Sequence, residues 1–273
     1  MLWIRLGIGI AIAYGVVLLL VWLFQEHIAF PAPRAPVPSP KDVGLEGERV
    51  ELVTKGGTRL VGWFLPATDP GRKSGAPALL WFYGNGENIA SIWPVLRDFQ
   101  PPGVSLLVVD YPGYGGSEGR ATEAGLYEAA ELAYQELARR PEVDSLRIYV
   151  YGRSLGSAVA THTAAAHRVA GLILESPFTN AREMSGQHYG LFPRFLLRLR
   201  LDNLANVSRI QSPLLVFHGT EDRLVPLEMG RRVAQSAPGP TELVLIEGAG
   251  HNETYDVGGR AYRDKLWEFV KGN

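Results

Sequence analysis

Ser154 lies in Gly152-Arg153-Ser154-Leu155-Gly156, directly after the apolar run Ile148-Tyr149-Val150-Tyr151 and before the small residues Ser157-Ala158-Val159-Ala160. A serine on a sharp strand-to-helix turn presents its hydroxyl at the strand end, and flanking glycines avoid the clashes that larger residues would make across the turn. That hydroxyl is a weak nucleophile until a base takes its proton, and the base needs an acid to orient it. With 31 glycines in 273 residues the pentapeptide alone proves little. The base is expected in His251, flanked by Gly250 and placed after the last apolar run. The acid is expected in Asp222, within His218-Gly219-Thr220-Glu221-Asp222. Glu175, ending Leu172-Ile173-Leu174-Glu175, is a rival acid because it too closes an apolar run. His162 and His167 follow the serine on its helix and read as packing or surface residues. His218 reads as a histidine hydrogen-bonded within the core.

The surrounding elements have to bring these groups together. Two apolar segments, 48–54 and 58–66, flank Lys55-Gly56-Gly57 and predict an antiparallel hairpin. Six short apolar runs come after them, from "PALLWFY" through "VSLLVVDY", "LRIYVYG", "VAGLILES" and "PLLVFHG" to "TELVLIEG", with helical stretches between them. Continuous apolar strands alternating with helices predict a doubly wound, mostly parallel α/β sheet buried on both faces, with antiparallel first strands. Leu126, Ala130, Ala133, Tyr134 and Leu137 recur at helical spacing between Thr122 and Arg140, and Pro141 ends that helix. In such sheets the carboxyl ends of the strands converge on one crevice. Gly84-Asn85-Gly86-Glu87-Asn88, Ser154, Asp222 and His251 all lie just past predicted strands, and the serine, acid and histidine occur in that chain order. No Gly-x-Gly-x-x-Gly follows the first parallel strand and no Walker loop occurs, so nucleotide binding finds no motif.

Composition narrows the class further. A net charge of −1 with 20% charged residues gives no sign of a nucleic-acid partner. The absence of cysteine rules out disulfides, zinc–thiolate sites and a cysteine nucleophile. No metal or cofactor is expected. Residues 1–25 contain a charge-free run from Leu6 to Phe24, about the length of a membrane-spanning helix, with Trp3, Trp22 and Phe24 near its ends. An uncleaved anchor is favoured over a signal sequence, since no small-x-small cleavage site follows. Arg5 and the amino terminus tip the N-terminus inward, which places the domain on the extracytoplasmic side of the membrane. Residues 26–47 carry Pro31, Pro33, Pro36, Pro38 and Pro40, expected to form a semi-rigid spacer that holds the domain off the membrane. Residues 48–273 form the domain, with a small cap at about 178–212. There Leu191, Phe192, Phe195, Leu196, Leu199 and Leu201 are candidates for an apolar acyl pocket or for simple packing. Arg194, Arg198 and Arg200 face either lipid phosphates or solvent.

"YGNGEN", "DYPGYGGSEG", "YGRSLGS", "SPFTN", "RLDNLANVSRIQSPLLVFHGTEDRLVP" and "GAGHNE" together resemble the α/β-hydrolase superfamily, and more closely its membrane-anchored Bem46-type and ABHD-type serine hydrolases. The likeness extends from about Glu48 to Asn273. It implies an α/β-hydrolase fold in which Ser154 is the nucleophile, His251 the base and Asp222 the acid. It also implies an oxyanion hole formed by the N–H groups of Leu155 and Asn85, with Gly86 possible. The family commonly has His-Gly where this chain has Tyr83-Gly84, which puts the support of that loop in question more than its main-chain donors. The implied activity is hydrolysis of carboxylic esters or thioesters of apolar, including lipid, acyl groups. A serine peptidase of prolyl-oligopeptidase or aminopeptidase type is the alternative, followed by a non-catalytic anchored interaction protein. "DYPGYGGSEG" is read as structural, with Asp110 making local hydrogen bonds.

Overall fold

The computed structural model describes residues 2–68, 75–190 and 192–272. A first helix, α1 (Leu2–Ala29), precedes an antiparallel pair, β1 (Glu48–Val53) and β2 (Arg59–Leu65). The alternating part comprises β3 (Ala76–Phe82), α2 (Ile89–Phe99), β4 (Ser105–Val109), α3 (Glu123–Arg139), β5 (Val143–Arg153), α4 (Leu155–Ala166) and β6 (Gly171–Glu175). It continues through α5 (Ala181–His188), α6 (Asn203–Val207), β7 (Leu214–Gly219), α7 (Leu227–Ser236), β8 (Thr241–Ile246) and α8 (Thr254–Gly272). The eight strands form one sheet in the order β1-β2-β4-β3-β5-β6-β7-β8, antiparallel as far as the β2–β4 pair and parallel beyond it.

This is the predicted architecture, and its side chains explain it. β3, β4, β6 and β7 are buried along their whole length, as unbroken apolar runs require when helices cover both faces. On one face Trp81 stacks on Tyr151 at 3.8 Å and meets Phe99 of α2, which in turn packs on Tyr262 of α8. Gly152, next along β5 and therefore on the other face, abuts Ala160 of α4. α3 starts on Thr122, whose side chain accepts the Gly125 N–H at 2.9 Å, and stops two residues before Pro141.

α1 is long and apolar enough to cross a membrane, with a mean hydropathy of 2.5 over its most apolar 18 residues, none of them buried. It runs four residues past the expected boundary at residue 25, and the proline-rich segment beyond it is not a free spacer. Phe30 and Val37 are buried in the core. The carbonyl of Pro33 accepts from the Gly115 N–H at 2.8 Å and from Asn88 Nδ2 at 3.1 Å. The carbonyl of Pro38 accepts from Trp63 Nε1 at 3.0 Å, and Arg34 donates to the Gly119 carbonyl at 3.0 Å. The physical reason lies in proline itself: it has no N–H to satisfy but keeps its carbonyl, so an extended proline-rich run can be held by donors of the domain. The segment is a strap along the domain.

The cap lies between β6 and β7 and contains α5, one 3-10 turn at Arg194–Leu196 and α6. Its described apolar residues differ in burial. Leu199 and Leu201 join the hydrophobic core, Phe192 and Leu196 are half-buried, and Phe195 is 79% exposed. Leu191 lies outside the described residues. Burial alternates from Arg198 to Leu201, where packing takes the two leucines while Arg198 and Arg200 stay exposed, and Leu201 turns the chain at a left-handed φ of +39°.

The strap carries a stability prediction. A chain beginning at Val21, which keeps Trp22 and Gln25, should match the full-length domain in thermal unfolding. One beginning at Pro40 loses burial of Phe30 and Val37 and several hydrogen bonds, and should be destabilised by about 3 kcal/mol or more, roughly 6–12 °C in Tm. Equal Tm values for the two truncated proteins would refute a structural role for the strap.

Candidate active site

β5 ends at Arg153 and α4 begins at Leu155, leaving Ser154 alone to turn the chain. Its φ of +49° and ψ of −114° lie in a region that residues with side chains rarely enter. The glycines around it are required by space: a Cβ on Gly152 would lie 2.3 Å from the Gly156 carbonyl oxygen, and one on Gly156 would lie 2.2 Å from that of Phe82. The turn is held from both sides. The Ser154 N–H donates to the Glu175 carbonyl at 2.9 Å, and the N–H and hydroxyl of Ser157 donate to the Ser154 carbonyl at 2.9 and 2.6 Å. Asn203 of the cap donates to Ser157 Oγ at 2.9 Å, tying α6 to the elbow.

His251, on the loop after β8, reaches the serine. Its Nε2 lies 3.0 Å from Ser154 Oγ and its Nδ1 lies 2.7 Å from Asp222 Oδ2. A carboxylate can only accept, so Nδ1 carries the hydrogen and the Nε2 lone pair faces the serine hydroxyl. Asp222 is buried, and its Oδ1 accepts the N–H groups of Leu224 at 3.0 Å and Val225 at 2.8 Å. Burial works against the carboxylate, but the hydrogen bond and charge of His251 and the Val225 N–H outweigh it, leaving Asp222 below its ordinary value. Beneath them His218 is fully buried, and its Nε2 donates to the Val225 carbonyl at 2.9 Å. Burial lowers its proton affinity, which fits a neutral core ring. These contacts bring Ser154, Asp222 and His251 into one hydrogen-bonded chain. Such a chain can deprotonate an attacking hydroxyl and return the proton to a leaving group.

Glu175, the rival acid, is engaged elsewhere. It accepts from Tyr151, Thr254, Tyr262 at 2.8 Å and Arg153 Nε at 3.1 Å. Arg153, the variable residue of the elbow motif, then branches to two further loops. It pairs with Glu87, and its other terminal nitrogen donates to the His251 carbonyl at 3.2 Å and to Asn252 Oδ1 at 2.7 Å. Burial alone would weaken the hold of Arg153 on its proton, but the carboxylates of Glu175 and Glu87 reverse that and raise its pKa. Glu87 accepts the Gly84 N–H at 2.6 Å, so one guanidinium braces the elbow, the histidine loop and the loop after β3. Sequence reasoning missed Arg153, Glu87, Asn252 and Asn203 as site residues. Arg153 stands inside the elbow motif, but nothing in its spacing names its partners.

The loop after β3 carries Asn85 and Gly86. The Leu155 N–H, at the first position of α4, has no carbonyl within the helix to bond. The Asn85 side chain donates to the Ala29 carbonyl and accepts from Tyr114 Oη, both at 2.7 Å. Where related sequences commonly have histidine, the Tyr83 hydroxyl donates to Asp110 Oδ1 at 3.0 Å and accepts the Tyr111 N–H at 3.1 Å. Asp110 also accepts from the N–H groups of Ile89 and Gly116, so a tyrosine–aspartate cluster supports the loop. His162 and His167 stack on Tyr127 and Tyr134, away from this chain of contacts.

Comparisons with known proteins agree with this architecture. A family model described as the alpha/beta hydrolase fold matches residues 77–209. The uncharacterized Mycobacterium tuberculosis protein Rv2307c is 35% identical over 264 residues, covering 96% of this chain and 92% of that protein. Human alpha/beta hydrolase domain-containing protein 17B is 34% identical over 61% of this chain and 56% of its own length. Among solved structures, the Pyrococcus furiosus esterase Pf2001 superposes with a TM-score of 0.71 at 21% identity, over 88% of this chain and 98% of its own, which is a likeness of fold. With its sheet order and elbow, and with relatives of this identity and coverage, the chain belongs to the α/β-hydrolase family.

Proposed function

We propose that the protein is a membrane-tethered serine hydrolase that cleaves carboxylic esters or thioesters of apolar acyl groups. One observation carries this reading: the continuous chain from Ser154 Oγ to His251 Nε2 at 3.0 Å and from His251 Nδ1 to Asp222 at 2.7 Å. Support comes from the family and from esterases among the structures of similar fold. In this reading Ser154 Oγ attacks the acyl carbon as its proton passes to His251 Nε2. The oxyanion is received by the N–H groups of Leu155 and Asn85, with Gly86 next to them, each donor supplying ~3 kcal/mol of transition-state stabilisation. The amino-terminal end of α4 adds its dipole to that site. Collapse of the intermediate breaks the bond to the alkoxide or thiolate, which takes the proton from His251. Water then attacks the acyl-enzyme with His251 again as base, releasing the carboxylic acid and restoring Ser154. Asp222 holds the imidazole tautomer and stabilises its charged form. The sidedness in this reading rests on Arg5, which precedes the apolar run and favours an internal N-terminal side and an extracytoplasmic domain. Protease added to intact spheroplasts should digest that domain; full protection until the membrane is opened would reverse the orientation.

A fluorophosphonate probe should label the wild type but not Ser154→Ala. Asp222→Asn should fold normally and lose on the order of 10⁴-fold in kcat. Glu175→Gln, by contrast, weakens a buried brace and should cost stability more than rate. A reversed ranking of these two carboxyls would overturn the assignment of the acid.

Asp222 is held below its ordinary value, so it stays ionised from neutral into mildly acidic solution and adds no second protonation there, and a histidine base acts only in its neutral form. kcat/KM should therefore fall on the acid side as a single-proton limb. A profile flat from about pH 5 to pH 9, with the chemical step rate-limiting, would remove His251 as base.

A further inference from the structure

Every described residue of α1 from Leu2 to Val17 is exposed, and its last turns are bonded to the domain at two places, in the cap and in the loop after β3. On the cap side, Gln25 is buried and its Oε1 accepts the Arg198 N–H at 2.7 Å. The Arg198 guanidinium donates to the Trp22 carbonyl at 3.1 Å and lies 4.7 Å above the Trp22 ring. On the other side, the carbonyl of Ala29 accepts from Asn85 Nδ2 at 2.7 Å, and the adjoining Phe30 is buried. No free linker separates the apolar run from the loop that carries Asn85.

Distance then decides where the site sits. The apolar run ends at Phe24, and Ala29 follows five residues later on the same helix, about 8 Å along its axis. The headgroup layer on each side of a bilayer is roughly 5–8 Å deep. With α1 in the membrane, the Asn85 loop and the cap lie at headgroup level. The cap also exposes apolar side chains there: Phe195 at 79% and Tyr189 at 61%. Leu224, two residues past Asp222, is exposed at 46%, and its carbonyl is bonded to His188 beside Tyr189. Arg194 and Arg200 are exposed in the same segment as Phe195, a mixture suited to the boundary between phosphates and acyl chains.

We propose that this face, formed by the cap, the Asn85 loop and the root of α1, docks on the bilayer, with Phe195 and Leu224 inserted below the headgroups. The substrates are acyl lipids resident in that leaflet, whose ester carbonyls reach Ser154 without crossing bulk water. The docking rests on α1 spanning a membrane; the substrate class rests in addition on the serine-hydrolase reading.

The chain contains no cysteine, so a single introduced thiol can carry a unique nitroxide. Full-length Phe195→Cys, Leu224→Cys and Leu146→Cys proteins would be labelled and reconstituted into phosphatidylcholine–phosphatidylglycerol vesicles. Leu146, 76% exposed on β5 well before the elbow, serves as the aqueous control. Labels at 195 and 224 should collide with oxygen more than with a water-soluble nickel chelate, and the label at 146 should do the opposite. Aqueous behaviour at 195 and 224 would overturn the docking, whatever the enzyme's activity. A second arm compares Phe195→Asp with wild type on a vesicle-embedded diacylglycerol and on a dispersed p-nitrophenyl butyrate. Losing the insertion should lower turnover of the embedded ester about tenfold and leave the dispersed ester unchanged. Equal effects on both esters would overturn delivery from the leaflet. Wild-type inactivity on both esters, with membrane-depth labels, would reject the hydrolase reading and the substrate class while the docking stands.

Discussion

Ser154 leaves β5 with a backbone conformation that an L-residue does not adopt on its own, and the site is arranged around holding it there. Two glycines make the turn sterically possible, and hydrogen bonds from β6 and α4 hold it in place. The geometry exposes the hydroxyl while setting the N–H of Leu155 at the start of a helix. One strained residue thus presents a hydroxyl beside the amino-terminal dipole of α4, at a cost on the order of 1–3 kcal/mol that the buried sheet readily offsets.

Arg153 extends that constraint outward. Its guanidinium meets Glu175 below, Glu87 in the loop after β3, and the His251 backbone with Asn252 beyond β8. A planar fork with five donors suits such a junction, because several fixed directions are satisfied from one buried side chain. The loops holding Asn85 and His251 belong to different crossovers and have no hydrogen bond to each other among the described residues. Their common partner is the residue before the serine.

The strap changes how the amino-terminal segment relates to the hydrolase domain. Its carbonyls are bound by Trp63, Asn88 and Gly115, and the last carbonyl of α1 is bound by Asn85. The membrane-spanning type of helix and the candidate oxyanion loop are thereby one connected structure, and the cap is fastened to the same root through Arg198.

Sequence alone was enough for whatever depends on local chemistry and chain order. Alternating apolar runs and helical periods specified the sheet, the Gly152–Gly156 spacing specified the elbow, and the strand ends nominated Ser154, Asp222 and His251. Two carboxyls at strand ends remained open until packing surrounded Glu175 with tyrosines and an arginine and left Asp222 facing the imidazole. The proline run was legible as extended backbone, since φ and the missing N–H are local properties. Whether it stood free depended on donors far along the chain, on β2, at the start of α2 and in the loop after β4, which no local pattern encodes. The same holds for the cap: its leucines and phenylalanines look alike in sequence, and only the path of the chain against the core buried Leu199 and Leu201 and left Phe195, in a 3-10 turn, in the open.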